Sequence, residues 1–139
     1  MIKKLSILAA SVMLSGQLFA AVPANSSPEL QADMKKQEEA LGVIQKGLLY
    51  GNKDMIKEGV TALKNANKAA VLKDSLQTYL PENKKALYKQ AMKSGEGVNK
   101  NADALLANLD ANKYGDTFTS YGKILNDCNT CHLVVRGWK

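Results

Sequence analysis

Two cysteines three apart with a histidine directly after the second, Cys128-Asn129-Thr130-Cys131-His132, are the residues of this chain best suited to chemistry. The spacing is that of a c-type haem attachment site. Each thiol adds to one of two vinyl groups on one edge of the macrocycle, and the residue after the second supplies the proximal iron ligand. A neutral imidazole nitrogen is a good donor to that iron. These are the chain's only two Cys and its only His, so no thiol remains for a disulfide framework. A redox dithiol would be expected beside a strand-helix-strand pattern, and it leaves His132 without a role. Tetrahedral zinc takes four protein ligands, or three plus water, and here there is no second Cys pair and no second His.

The elements that must hold this pentapeptide are helical by their periodicity. Ser27-Pro28-Glu29 reads as a helix start, with a hydroxyl cap, proline at the first helical position and an acid in the first turn. Leu30, Met34, Gln37, Leu41, Ile44 and Leu48 then recur on one face of a first helix expected to run to Tyr50. After a turn at Gly51-Asn52-Lys53-Asp54, the residues Ile56, Val60, Leu63, Asn67 and Ala70 mark a second helix ending near Leu72. Lys73 to Leu80 reads as a connector, and Pro81-Glu82 as the next start. The third helix carries Leu87, Ala91, Ser94, Val98, Ala102, Leu105 and Leu109 inward. Gly95 and Gly97 weaken its middle by about 1 kcal/mol each relative to Ala, which points to close packing or a kink. Asn112 to Asp116 is the third turn, and Phe118, Tyr121, Leu125, Cys128, His132 and Val135 form the expected inner face of a fourth helix. The pattern predicts an all-α, up-down-up-down four-helix bundle. The haem belongs at the end formed by the start of the first helix and the end of the fourth.

The first twenty residues set the compartment. Lys3 and Lys4 precede an apolar run from Leu5 to Leu14, and small residues follow at Ala20 and Ala21, the layout of a secretory signal peptide too short to span a membrane. Cleavage is expected after Ala20, with Val22-Pro23-Ala24 as a second site. Residues 21–27 are then a short N-terminal segment and 28–139 the four-helix domain. A chain of that size buries roughly 65% of the surface it would otherwise expose, enough for a core without disulfides. The compartment this predicts is the periplasm. The full chain has a formal charge of +6; removing Lys3 and Lys4 leaves +4, and two haem propionates would bring it to about +2. Such a mildly basic surface can steer an acidic partner, though solvated lysines on helix faces have the same signature. Nucleic acid is not indicated.

The bundle also suggests the second axial position. Met34 lies about six residues into the first helix and His132 about seven from the chain's end, so at 1.5 Å per residue both stand roughly 10 Å from one end of antiparallel helices. A thioether and an imidazole there can meet one iron from opposite sides. By position alone, Met34 serves equally well as core filler, the usual fate of methionine.

At these positions the chain resembles a known family. Leu30, Met34, Leu41, Val43, Ile44 and Lys46 match in order and spacing the first helix of cytochrome b562, and His132 with Arg136 four residues on matches its last. Cys128 and Cys131, absent from that haem-b protein, make the chain similar to the class II c-type cytochromes, the group of cytochrome c prime and the low-spin cytochrome c-556. The resemblance implies covalent haem c on Cys128 and Cys131, iron bound by His132, and Met34 as the distal ligand. Val135 departs from it, since cytochrome c prime commonly has an aromatic residue there. Arg136 is a candidate for a haem propionate, or for the dipole at the end of the fourth helix. The pocket walls expected are Leu30, Leu41, Ala70, Leu87 and Leu125, with Tyr79 and Leu80 at the edge.

The resulting expectation is a monohaem electron carrier, not an enzyme, that serves redox partner proteins. It has no membrane span once its leader is removed, and it is a monomer or homodimer. The alternative is a five-coordinate protein of the cytochrome c prime type that binds nitric oxide or carbon monoxide, with Met34 as mere lining. A peroxidase lacks support, because no second His exists to act as distal acid or base.

Overall fold

A computed structural model describes residues 27–136; the expected signal peptide and both of its cleavage sites lie outside the described residues. Among those residues every regular element is helical: α1 (Pro28–Tyr50), α2 (Lys53–Ala66), α3 (Lys73–Tyr79), α4 (Tyr88–Asp110) and α5 (Tyr114–Arg136), with 3-10 segments at Ala69–Val71 and Glu82–Leu87. Local chemistry sets the first boundaries. Ser27 Oγ accepts the Leu30 amide at 3.1 Å, ahead of proline in the first turn. Gly51 takes the left-handed conformation (φ 65°) that ends α1, and Asn52 Oδ1 accepts the Met55 amide to start α2.

Glycines let α1 and α2 lie close together. A Cβ on Gly47 would stand 2.7 Å from Ile56 Cγ1, and one on Gly59 would stand 2.7 Å from Ile44 Cγ1 and 2.9 Å from the Ile44 backbone nitrogen. The α1 and α2 chains therefore run antiparallel as a tight hairpin. Residues α4 and α5 form a second one through the turn at Asn112, whose φ of 57° Asn tolerates. Across it Asn101 Nδ2 donates to Asp127 Oδ2 at 2.7 Å, and Asn108 Nδ2 donates to Ser120 Oγ at 3.2 Å. The hairpins meet along α2 and α4, where Lys57 pairs with Asp110, Lys64 with Asp103, and Asn67 Nδ2 donates to Gly95 O and Asn99 Oδ1. The surface ion pairs in this series contribute little stability. The apolar contents between the hairpins do more, with Ile44, Val60, Leu63, Ala102, Leu105, Leu109 and Ile124 fully enclosed.

The glycine contacts yield a prediction of opposite signs within one hairpin. Gly59→Ala meets backbone, so its overpacking cost of about 1–3 kcal/mol should exceed the gain of about 1 kcal/mol in helix propensity. Gly42→Ala on α1 meets nothing within 4 Å and should be neutral or stabilising. Urea unfolding of the two variants checks both signs, and equal shifts would contradict the close approach.

Four sequence expectations are corrected. The second helix ends at Ala66, not near Leu72: the buried Asn67 caps it, with its side-chain amide bonded to α4, and a 3-10 segment follows at Ala69–Val71. The stretch 73–80 is not a plain connector. It holds α3, which buries Leu76 and is followed by the buried Leu80. The residues after Pro81 form a 3-10 segment before α4 begins at Tyr88. The buried stripe of the last helix is Thr117, Ser120 and Ile124, whereas Phe118 and Leu125 are 48% and 42% exposed. Small polar side chains occupy the inward positions beside α4, which apolar periodicity overlooks. Gly95 and Gly97 mark close packing without breaking α4, against the Ala70 carbonyl and the Asp127 carboxylate respectively.

Candidate haem site

Cys128, Cys131 and His132 lie within the last turns of α5, all half-buried. Cys128 packs against the main apolar cluster. Cys131 and Val135 pack against a second, smaller one of Leu76, Leu80 and Ala91, which α3, its following loop and α4 supply. One turn of α5 thus aims its two thiols at two neighbouring parts of the interior. Both are free thiols. Burial pushes the Cys128 thiol up to about 11, reinforced by the nearby charges of Cys131 and Asp127. Burial raises Cys131 as well, against an opposing pull from Arg136. The His132 imidazole is moved below its usual value, first by burial and then by the Arg136 charge, so at neutral pH it is the uncharged donor that a metal needs. Arg136 therefore stands within electrostatic reach of both Cys131 and His132. The same end is tied to the chain before α4, where Lys84 Nζ donates to Val134 O at 3.3 Å.

Two turns earlier along α5, Tyr121 Oη donates to Leu41 O at 3.2 Å, which identifies the face turned to α1. Leu125 and Cys128 follow Tyr121 at helical spacings of four and three, so they continue that face. Leu125 keeps 42% of its surface exposed there. Leu30, Met34 and Leu41 of α1 are half-buried. Among the described residues Met34 is not one of those packed against either apolar cluster. Met92, by contrast, is packed against the second cluster. Of the other expected walls, Leu80 is buried in the second cluster, Tyr79 and Leu87 are half-buried, and Ala70 lies over Gly95.

The donor set fits a covalently held haem. Two free thiols one helical turn apart are followed by a neutral imidazole, on a face whose apolar Leu125 remains partly uncovered. Among the described residues no group of three or more His, Cys, Asp or Glu comes together as a metal site. Their long helices contain none apolar enough to cross a membrane. No family profile, curated protein or solved structure matches this chain.

Proposed function

We propose that the chain is an exported, periplasmic monohaem c-type cytochrome of the class II kind, which passes one electron between protein partners. The observation that carries this reading is the grouping of Cys128, Cys131 and His132 on one half-buried turn of α5. The antiparallel contacts of α1 with α2, α2 with α4 and α4 with α5 support an up-down-up-down bundle. In such a bundle the N-terminal part of α1 and the C-terminal part of α5 share an end. Counting from the Tyr121–Leu41 hydrogen bond, Met34 and Cys128 are each seven residues away, about 10 Å along their helices. Met34 then approaches the level of the attachment site from the opposite helix.

In this reading Cys128 and Cys131 hold the macrocycle by thioethers, His132 ligates iron from α5, and Met34 ligates it from α1. Arg136 serves a propionate. A haem so held supplies reversible one-electron exchange between Fe(II) and Fe(III). The protein's own contribution is to exclude water with Leu30, Leu41, Leu125 and the second apolar cluster, and to keep His132 uncharged and oriented. Histidine with methionine favours the reduced state, as suits an electron carrier.

The test is covalency. Protein exported in cells that carry the haem-ligation machinery should keep its colour through acid-acetone extraction, and its mass should exceed that of the processed chain by one haem. Colour that extracts completely would overturn the reading.

A further inference from the structure

The net positive charge of the described chain is confined to one stretch. Between Lys68 and Lys100 stand seven lysines against three acids, whereas the rest of residues 27–136 holds nine basic and ten acidic residues. Within this stretch Lys85, Lys89, Lys93 and Lys100 follow one another at intervals of four, four and seven along the start of α4 and the segment before it. They therefore share one face. Like charges at such spacing repel each other and oppose helix formation. Lys85 is relieved by Glu82 at 2.6 Å, but among the described residues Lys89, Lys93 and Lys100 have no ion-pair partner within 4 Å. Asp127, the nearest acid of α5 to this face, has Oδ2 engaged by Asn101. Glu96, three residues after Lys93 and four before Lys100, offsets part of that repulsion, but no acid stands three or four residues from Lys89, so pairing within the helix gives no full reason for the row.

Its position supplies one. Lys93, Glu96 and Lys100 border an open groove of about 610 Å³ between α4 and α5, whose opposite wall is Asp127, Thr130 and Val134. Thr130 lies between Cys128 and Cys131, so the groove's far wall is the outer side of the attachment segment itself. We infer that the face bearing Lys89, Lys93 and Lys100 is the docking surface for an acidic protein, the redox partner of the site in α5. The inference rests on the proposed function for the partner's role, and on charge and geometry alone for the place of docking.

A protein fits this face better than a membrane does. Acidic Glu96 interrupts the lysine row, which gives a partner with fixed charges a register, and a diffuse anionic surface gains nothing from it. Among exposed large apolar residues, only Leu72 falls within the basic stretch, so no apolar row stands ready to enter lipid. Charges placed this way mainly accelerate encounter and orient the complex.

The experiment uses the full, exported, haem-loaded protein, with flavodoxin, an acidic one-electron flavoprotein, as probe. Zero-length carbodiimide coupling should join flavodoxin carboxylates to Lys89, Lys93 or Lys100, read by peptide mass spectrometry. Calorimetric affinity should fall steeply between about 20 and 200 mM salt, since exposed charges are screened over that range. The variant K89E/K93E/K100E should lose about tenfold or more in affinity, while K35E/K46E/K123E, with the same change in net charge on other exposed lysines, should lose far less. Equal losses in the two variants, or cross-links at other lysines, would overturn the docking surface. Tighter binding to vesicles containing phosphatidylglycerol than to flavodoxin, abolished by the first variant, would overturn the protein partner in favour of lipid. Loss of extraction-resistant colour would defeat the proposed function and leave the cross-link map standing, so the two failures are separable.

Discussion

Met34→Leu is expected to turn a low-spin protein that resists carbon monoxide into a high-spin one that binds it at least an order of magnitude faster. The reason is that the substitution removes only the thioether. Leu keeps nearly the whole volume, whereas Met34→Ala would also remove side-chain volume and so mix a packing effect with the loss of the ligand. The reduction potential should fall, because a thioether ligand favours Fe(II). Met92→Leu is the control: Met92 packs with the second cluster, and its loss should leave the spin state as it is. Optical spectra of both redox states and flash photolysis of the carbonyl complex provide the readings. If wild type is already high-spin and binds the gas as fast as Met34→Leu does, Met34 is no ligand, and a cytochrome c prime-type binder of nitric oxide or carbon monoxide becomes the better reading. Should Met92→Leu alone change the spectrum, the distal ligand is on α4.

His132→Ala should remove the proximal ligand while both thioethers remain. The haem would stay attached and lose its normal axial ligation, which separates this variant from one that fails to be assembled. A bound group that interacts only with the folded state stabilises it by linkage, and tethering makes the effective concentration of haem at His132 high. An occupancy equivalent to a thousand times Kd corresponds to about 4 kcal/mol, so the melting temperature should drop by roughly 15 °C or more. Thermal unfolding followed at the Soret band and by far-ultraviolet circular dichroism measures it. A melting temperature equal to wild type would show that iron ligation by His132 holds nothing together.

The chemistry of the candidate site was legible in the sequence because it is written in neighbouring residues: Cys128, Cys131 and His132 lie within one turn, and their spacing survives in any helix that contains them. Helix starts at Ser27 and Asn52 and the stop at Gly51 were equally local, since a cap needs only its own few residues. Tertiary structure decided what depends on a distant neighbour. Asn67 reads by periodicity as one more inward position of the second helix, and its place as the cap after Ala66 is fixed where α4 offers Gly95 O and Asn99 Oδ1 to its amide. Thr117 and Ser120 look like surface residues until α4 covers them, and covering them turns Phe118 and Leu125 outward from the stripe that apolar periodicity assigns them. α3 is too short for a periodic signal and is fixed by burying Leu76 and Leu80 beside Cys131. The tight pairing of Gly59 with Ile44 and of Gly97 with Asp127 likewise exists only when two helices approach. The physical difference is range: caps, turns and the attachment motif are satisfied within a few residues of backbone, whereas the inward register of a helix is chosen by the surface packed against it.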